Sequence, residues 1–266
     1  MHDVGALSEL YDNLSEVARD TAGTRYSASL RDGTPVDICV LAPSLSARIR
    51  DGARFLETLE RASRVRHPGL CELRAWQHTP GGFTYLVCAR VGAPIPQGSR
   101  GPDDIASVGI PLARAMAAAH ERGFIHGGIS AERVSTAPGG GAALSGLGLY
   151  QALREGGLDA RDALPVAPPP YLSPEQHGGT SPSQRSNVYS LGAVLYELLT
   201  GKPPFGGRTT SYVMASVLSD SEVDPETPPA NVRQGIGPAV DAVLREIERA
   251  PEDRWRRMAG FADALG

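Results

Sequence analysis

Ala119-His-Glu-Arg-Gly-Phe-Ile-His-Gly-Gly-Ile-Ser-Ala-Glu-Arg-Val134 is the stretch from which the rest of the chain is read. The run before it, from Ile105, is Ala-rich with a helical period, and Gly123 stands where a helix C-cap needs a left-handed residue. Beyond Gly123 come His126, two adjacent glycines, Ser130 and Arg133. On residue chemistry alone this is a helix-to-strand turn that contains a histidine. Gly128 has no side chain to accept a proton, and Arg133 adds a cation fixed at any accessible pH. The turn supports no chemistry by itself, so its meaning depends on what surrounds it.

The chain has 266 residues with 41% hydrophobic content, enough for a sizeable core in one large domain or a small lobe joined to a larger one. A net charge of −4 and a pI near 5.9 argue against a nucleic-acid surface, and no basic run opposes that. Cys39, Cys71 and Cys88 lie in apolar stretches without metal-ligand spacing, which predicts free thiols and a reducing compartment. No stretch approaches eighteen uninterrupted apolar residues, and Met1 to Ser15 has no signal-peptide pattern. The expectation is a cytoplasmic domain without direct membrane insertion, compatible with tethering to a membrane protein.

The first third reads as strands around one helix. Thr24–Leu30 and Val36–Leu41 flank an Arg-Asp-Gly-Thr turn that ends at Thr34, a hairpin signal. Arg50–Arg66 carries Phe55, Leu59, Ala62 and Val65 on one face and stops at His67-Pro68, which predicts an amphipathic helix. Leu70–Trp76 and Phe83–Ala89 read as a second hairpin around Thr79-Pro-Gly-Gly82. Further on, Arg185–Thr200 is a long apolar helix closed by Gly201-Lys-Pro-Pro204.

These segments, in this order, resemble a bacterial Ser/Thr protein kinase of the actinobacterial kind. Ala119 to His126 matches the family's entry into its catalytic loop, Pro170-Tyr-Leu-Ser-Pro-Glu-Gln176 its Ala-Pro-Glu motif, and Arg185–Phe205 its most specific helix. Ala250-Pro-Glu-Asp-Arg-Trp255 resembles its closing motif. The resemblance implies an α+β, bilobal protein-kinase-like fold, with a small β-rich N-lobe (1–91) holding one main helix and a larger helical C-lobe (92–266). It assigns structural roles to His126, Gly148, Glu175, Asn187 and Arg254. It also shows where this sequence departs from the family. Gly127 stands for the Arg that precedes the catalytic Asp, Gly128 for that Asp, Ser130 for the loop Lys, and Arg133 and Gly146 for the two magnesium ligands. Cys39 replaces the ATP-binding Lys and Thr58 the helix Glu that pairs with it. Ala18 and Asp20 fall in the glycine-rich loop, of which only Gly23 is kept. The segment 149–172 contains no Ser or Thr, so loop phosphorylation is left to Tyr150 and Tyr171.

The implied function is that of a catalytically inactive pseudokinase: a regulatory or scaffolding protein-interaction module with no cofactor and no metal. A bacterial example is the pseudokinase domain attached to MviN-type lipid II flippases. There a phosphothreonine-reading forkhead-associated (FHA) partner and an active upstream Ser/Thr kinase control peptidoglycan synthesis. Thr34, and Thr210 in the polar stretch 206–211, are the candidate phosphosites. The alternatives are an atypical kinase-like transferase and a metal-independent nucleotide sensor.

Overall fold

A computed structural model describes residues 4–19, 22–78, 83–90, 92–95, 102–137, 140–163, 167–207, 209–218 and 254–266. Asp20, the turn 79–82 and residues 250–253 of the closing motif lie outside them.

Five antiparallel strands form one sheet in the order β1-β2-β3-β5-β4. The strands are β1 (Asp12–Arg19), β2 (Gly23–Ser29), β3 (Pro35–Leu41), β4 (Leu73–His78) and β5 (Thr84–Ala89). β2 and β3 pair without a register break from Gly23↔Leu41 to Ser29↔Pro35. Gly33, at φ +82, makes their turn, a conformation that costs a side-chain-bearing residue more than glycine. Strict alternation in β3 buries Val36, Ile38 and Val40 on one face and turns Cys39 to the other. Helix α1 (Val4–Leu10) covers the first face with Leu7, and Tyr11, just beyond the helix, meets Tyr85 edge-on. A seven-residue helix carries too few periods to be read from sequence, and β1, with two register shifts, has no clean alternation.

The other face packs on α3 (Gly52–Ser63), which follows the short α2 (Pro43–Ser46). Asp51 caps α3 by accepting the Arg54 N–H at 3.0 Å, and Phe55, Thr58, Leu59 and Ala62 form its buried stripe.

The larger lobe is built on α8 (Gln184–Thr200), whose residues from Ser186 to Leu198 are buried without interruption. The hydroxyl of Ser183 caps its start, and Gly201, left-handed at φ +83, returns its N–H to the Glu197 carbonyl. Helices α4 (Pro102–Glu121) and α10 (Met258–Leu265) pack on each other and on α8 in one apolar core. Between α4 and α8 lie the small hairpin β6 (Val134–Thr136) and β7 (Ala142–Leu144), then α5 (Leu149–Glu155), α6 (Ala160–Ala163) and α7 (Pro174–His177). Helix α9 (Thr210–Leu218) follows α8. The result is a bilobal α+β fold, with a β-rich small lobe around one main helix and a more helical large lobe.

Candidate functional site

The turn 124–133 is held by side chains from several elements. His126 is 2% exposed; its Nδ1 accepts the Gly128 N–H at 3.2 Å, and its Nε2–H donates to the Ser145 carbonyl at 3.0 Å. Those two bonds fix one neutral tautomer. Burial, and then the charge of Arg133, push its pKa down to about 3. Asn187 on α8 accepts the Gly127 N–H at 3.1 Å through Oδ1 and donates through Nδ2 to His120 Nε2 at 2.9 Å. His120 must therefore be neutral to accept, and burial lowers its pKa to about 4. Gln176 on α7 donates to the Gly127 carbonyl at 3.4 Å.

Across this loop, Arg133 is 5% exposed and lies against Gly146. Gly146 is at φ +91, and a Cβ placed on it would come within 2.4 Å of Arg133 Nη1. A side chain at 146 and the guanidinium in its present place exclude each other. Ser130 is fully buried, and Gly128 presents only backbone. From the small lobe, Arg25 on β2 donates to the Glu132 carbonyl and so bridges the two lobes.

The small-lobe positions carry no opposite charges. Cys39, on the face of β3 that packs toward α3, is paired across the sheet with Leu86. Thr58 is fully buried on α3, with its hydroxyl 2.9 Å from both the Arg54 carbonyl and the Glu155 carboxylate. Glu155 also accepts from Arg61 at 2.8 Å and from Gln151 at 3.1 Å. Removal from water raises the thiols of Cys71, to about 12, and of Cys88, so both stay protonated at neutral pH. Among the described residues no group of three or more His, Cys, Asp or Glu converges in a way that could hold a metal. Ala18 sits at an irregular point of β1 opposite Arg25. Gly23 has a sheet role, because a Cβ there would fall 1.9 Å from the Val40 carbonyl oxygen.

Gly148, at φ +86, starts α5 and touches α3 so closely that a Cβ would lie 2.4 Å from that of Ala62. The segment after it folds inward. Tyr150 and Tyr171 are each 5% exposed, and the Tyr171 hydroxyl donates to Glu197. The ring of Tyr150 rests on Gly127, where a Cβ would lie 2.6 Å from the ring's Cγ. Sequence reasoning missed this contact; the one available signal was glycine at 127 itself.

Arg254 Nη1 meets both carboxylate oxygens of Glu175, at 3.0 and 3.1 Å, and its guanidinium lies 4.8 Å from the Tyr189 ring centroid. Ser186 donates to the same carboxylate at 2.8 Å. Thr34 gives its N–H to Asp32 at 2.9 Å, and bonding from its hydroxyl and then its N–H holds the Asp32 carboxyl below its ordinary range. Thr210 is exposed. It is the first residue of α9 and not part of a polar loop, since Thr209 Oγ1 caps that helix by accepting the Tyr212 N–H at 3.2 Å. Three places on from the two threonines, Asp37 is ion-paired with Arg90 at 2.7 Å and Val213 is buried.

Residues 42–238 match the family model described as protein tyrosine and serine/threonine kinase. The chain is similar to a probable serine/threonine-protein kinase of Corynebacterium efficiens, 29% identical over 248 residues, covering 88% of this chain and 37% of that protein. It is also similar to the serine/threonine-protein kinase PknB of Mycobacterium tuberculosis, 29% identical over 217 residues, covering 77% of this chain and 34% of that one. With the probable PknB of Corynebacterium glutamicum the identity is 32% over 171 residues, with 62% and 26% covered. The chain thus spans between 26% and 37% of the length of these relatives.

Proposed function

The chain belongs to the protein tyrosine and serine/threonine kinase family, and from that premise we propose that it is a pseudokinase, a kinase-shaped interaction module that transfers no phosphoryl group. The observation that carries this reading is the buried Arg133 guanidinium lying against Gly146. At the two positions where the resemblance places magnesium ligands there is a cation and an absent side chain. A fixed positive charge repels a divalent metal, and phosphoryl transfer depends on that metal for positioning and charge neutralisation. Cys39, a neutral thiol, and Gly128, which has no base, support the same conclusion. The test is incubation with labelled ATP and magnesium, alone and with generic protein substrates. No incorporation above a heat-killed control is expected, and incorporation above it would overturn the reading. Saturation at about 100 times Kd would stabilise the fold by roughly 2.7 kcal/mol, so an unmoved melting curve in MgATP is the companion result.

The role proposed for this surface is regulatory scaffolding in the cytoplasm. Among the described residues no helix is long and apolar enough to cross a membrane. A link to an MviN-type flippase, an upstream active Ser/Thr kinase and an FHA partner extend the proposal to the whole protein. Thr210 suits phosphorylation better than Thr34. A phosphate at the first turn of α9 would sit at the positive end of that helix, whereas one at Thr34 would face the Asp32 carboxylate. Because Val213 is buried, FHA reading of Thr210 requires the first turn of α9 to unwind. Mass spectrometry after incubation with an active kinase locates the site. A partner that binds the unphosphorylated domain equally well refutes the switch.

A further inference from the structure

We propose that Arg25 is a strap that sets the spacing of the two lobes with no ligand between them. The proposal goes beyond the non-catalytic reading and does not rest on it, because it concerns how the lobes are joined. Arg25 stands two residues after Gly23, where the G-x-G-x-x-G-x-V pattern has an apolar valine. Pairing in the sheet sets it opposite Ala18 on β1 and Cys39 on β3. Residues paired across strands share a face, so Arg25 lies on the face of Cys39, away from the cluster of Tyr26, Ala28 and Ile38 under α1. A valine there ends close to the sheet, whereas an arginine reaches well past it and carries its donors at the tip.

The tip meets a rigid acceptor. Nη1 donates to the Glu132 carbonyl, 107 residues further on, in the turn Ala131–Arg133. That turn is fixed by its own bonds: Arg133 gives its N–H to the Ser130 carbonyl at 3.1 Å, and the Arg133 carbonyl accepts the Ser145 N–H at 3.0 Å. Ala131 and Arg133, on either side of Glu132, are each 5% exposed. The Nε–H of Arg25 is buried and has no partner among the described residues. A buried donor without an acceptor is unfavourable, and a side chain swung out to solvent would hydrate it, so the charge-assisted bond across the lobes outweighs that cost.

Other joins between the lobes lie toward the β4–β5 end of the sheet. There Leu144 gives its N–H to the Gly69 carbonyl at 3.0 Å, Cys71 gives its own to the Leu144 carbonyl at 2.9 Å, and Thr136 donates to the Ala93 carbonyl at 2.9 Å. β1 and β2 form the opposite end of the sheet. A hinge near residues 92–95 would let that end swing, and Arg25 pins it. A partner that contacts both lobes therefore meets one preset surface.

Distances between two spin labels on the full chain test this, with the labels carried by unnatural amino acids at Val17 on β1 and Thr180 before α8, both exposed. The unliganded native chain should give one narrow distribution. Arg25→Val should make it about twofold broader and move it to longer distance, while amides in the middle of α8 keep their native protection from hydrogen exchange. An unchanged distribution in Arg25→Val, or a broad one in the native chain, would overturn the strap. If Arg25→Val does not fold, Arg25→Met, which keeps an apolar stem without the donors, takes its place in the same comparison. If neither folds, the native distribution decides: a single narrow one supports the strap and a broad one overturns it.

Discussion

Acid should weaken this fold through two histidines that the loop frame needs neutral. His126 accepts from the Gly128 N–H and His120 accepts from Asn187, so protonating either ring destroys a buried hydrogen bond and leaves a charge in its place. Their folded pKa values, about 3 and about 4, lie below the value of about 6.5 in an unfolded chain. Depressed values mean that the unfolded chain binds more protons, so this contribution to stability is complete above about pH 6.5 and is lost as pH falls. Between pH 7 and pH 5 the loss is about 2 kcal/mol for each ring and about 4 kcal/mol together. His67, His78 and His177 are shifted in the same direction, while Glu197, raised by burial, acts in the opposite sense. For that reason the assay is a comparison. Urea unfolding of the native chain and of His126→Gln should be followed at pH 7, 6 and 5. The glutamine amide can donate to Ser145 without titrating, so the variant should lose about 2 kcal/mol less over that range. Equal pH slopes in the two proteins would show that His126 does not resist protonation as argued.

Arg254→Ala should cost about 3–5 kcal/mol, because it leaves the Glu175 carboxylate without its cation in the large lobe. Denaturant unfolding measures this, and unchanged stability would mean that the pair is not a structural support. Asn187→Ala should cost about 1–3 kcal/mol by stranding the Gly127 N–H and His120 Nε2, whereas Asn187→Asp can keep both contacts, its carboxylate accepting the Gly127 N–H and the Nε2–H of the other His120 tautomer. Cys71 and Cys88 should resist alkylation in the native chain at pH 8 and react fully in denaturant, since burial keeps both thiols protonated. Rapid native labelling of either would show that the packing around it opens.

What the sequence discloses depends on how local the cause is. The segment 184–200 is legible because its apolar run and the Gly201-Lys-Pro-Pro204 stop that follows form one contiguous stretch. The hairpin of β2 and β3 is legible for the same reason. Helix α1 is not, because Leu7 earns its place only against Tyr26 and Ile38, far along the chain. Thr210 reads as loop from composition, yet Thr209 turns it into the start of a helix with one hydroxyl. The site divides in the same way. Each departure from the family at 127, 133 and 146 can be seen in sequence, where it reads as a separate loss. In space they make two complementary pairs: Gly146 leaves the volume that Arg133 occupies, and Gly127 leaves the volume that Tyr150 occupies. A reversal at 127 therefore meets a steric block, since Gly127→Arg without Tyr150→Ala places a side chain in filled space, whereas at 146 the obstacles are the movable end of Arg133 and the left-handed backbone. These glycines are accordingly part of how the domain packs as well as positions where chemistry is absent.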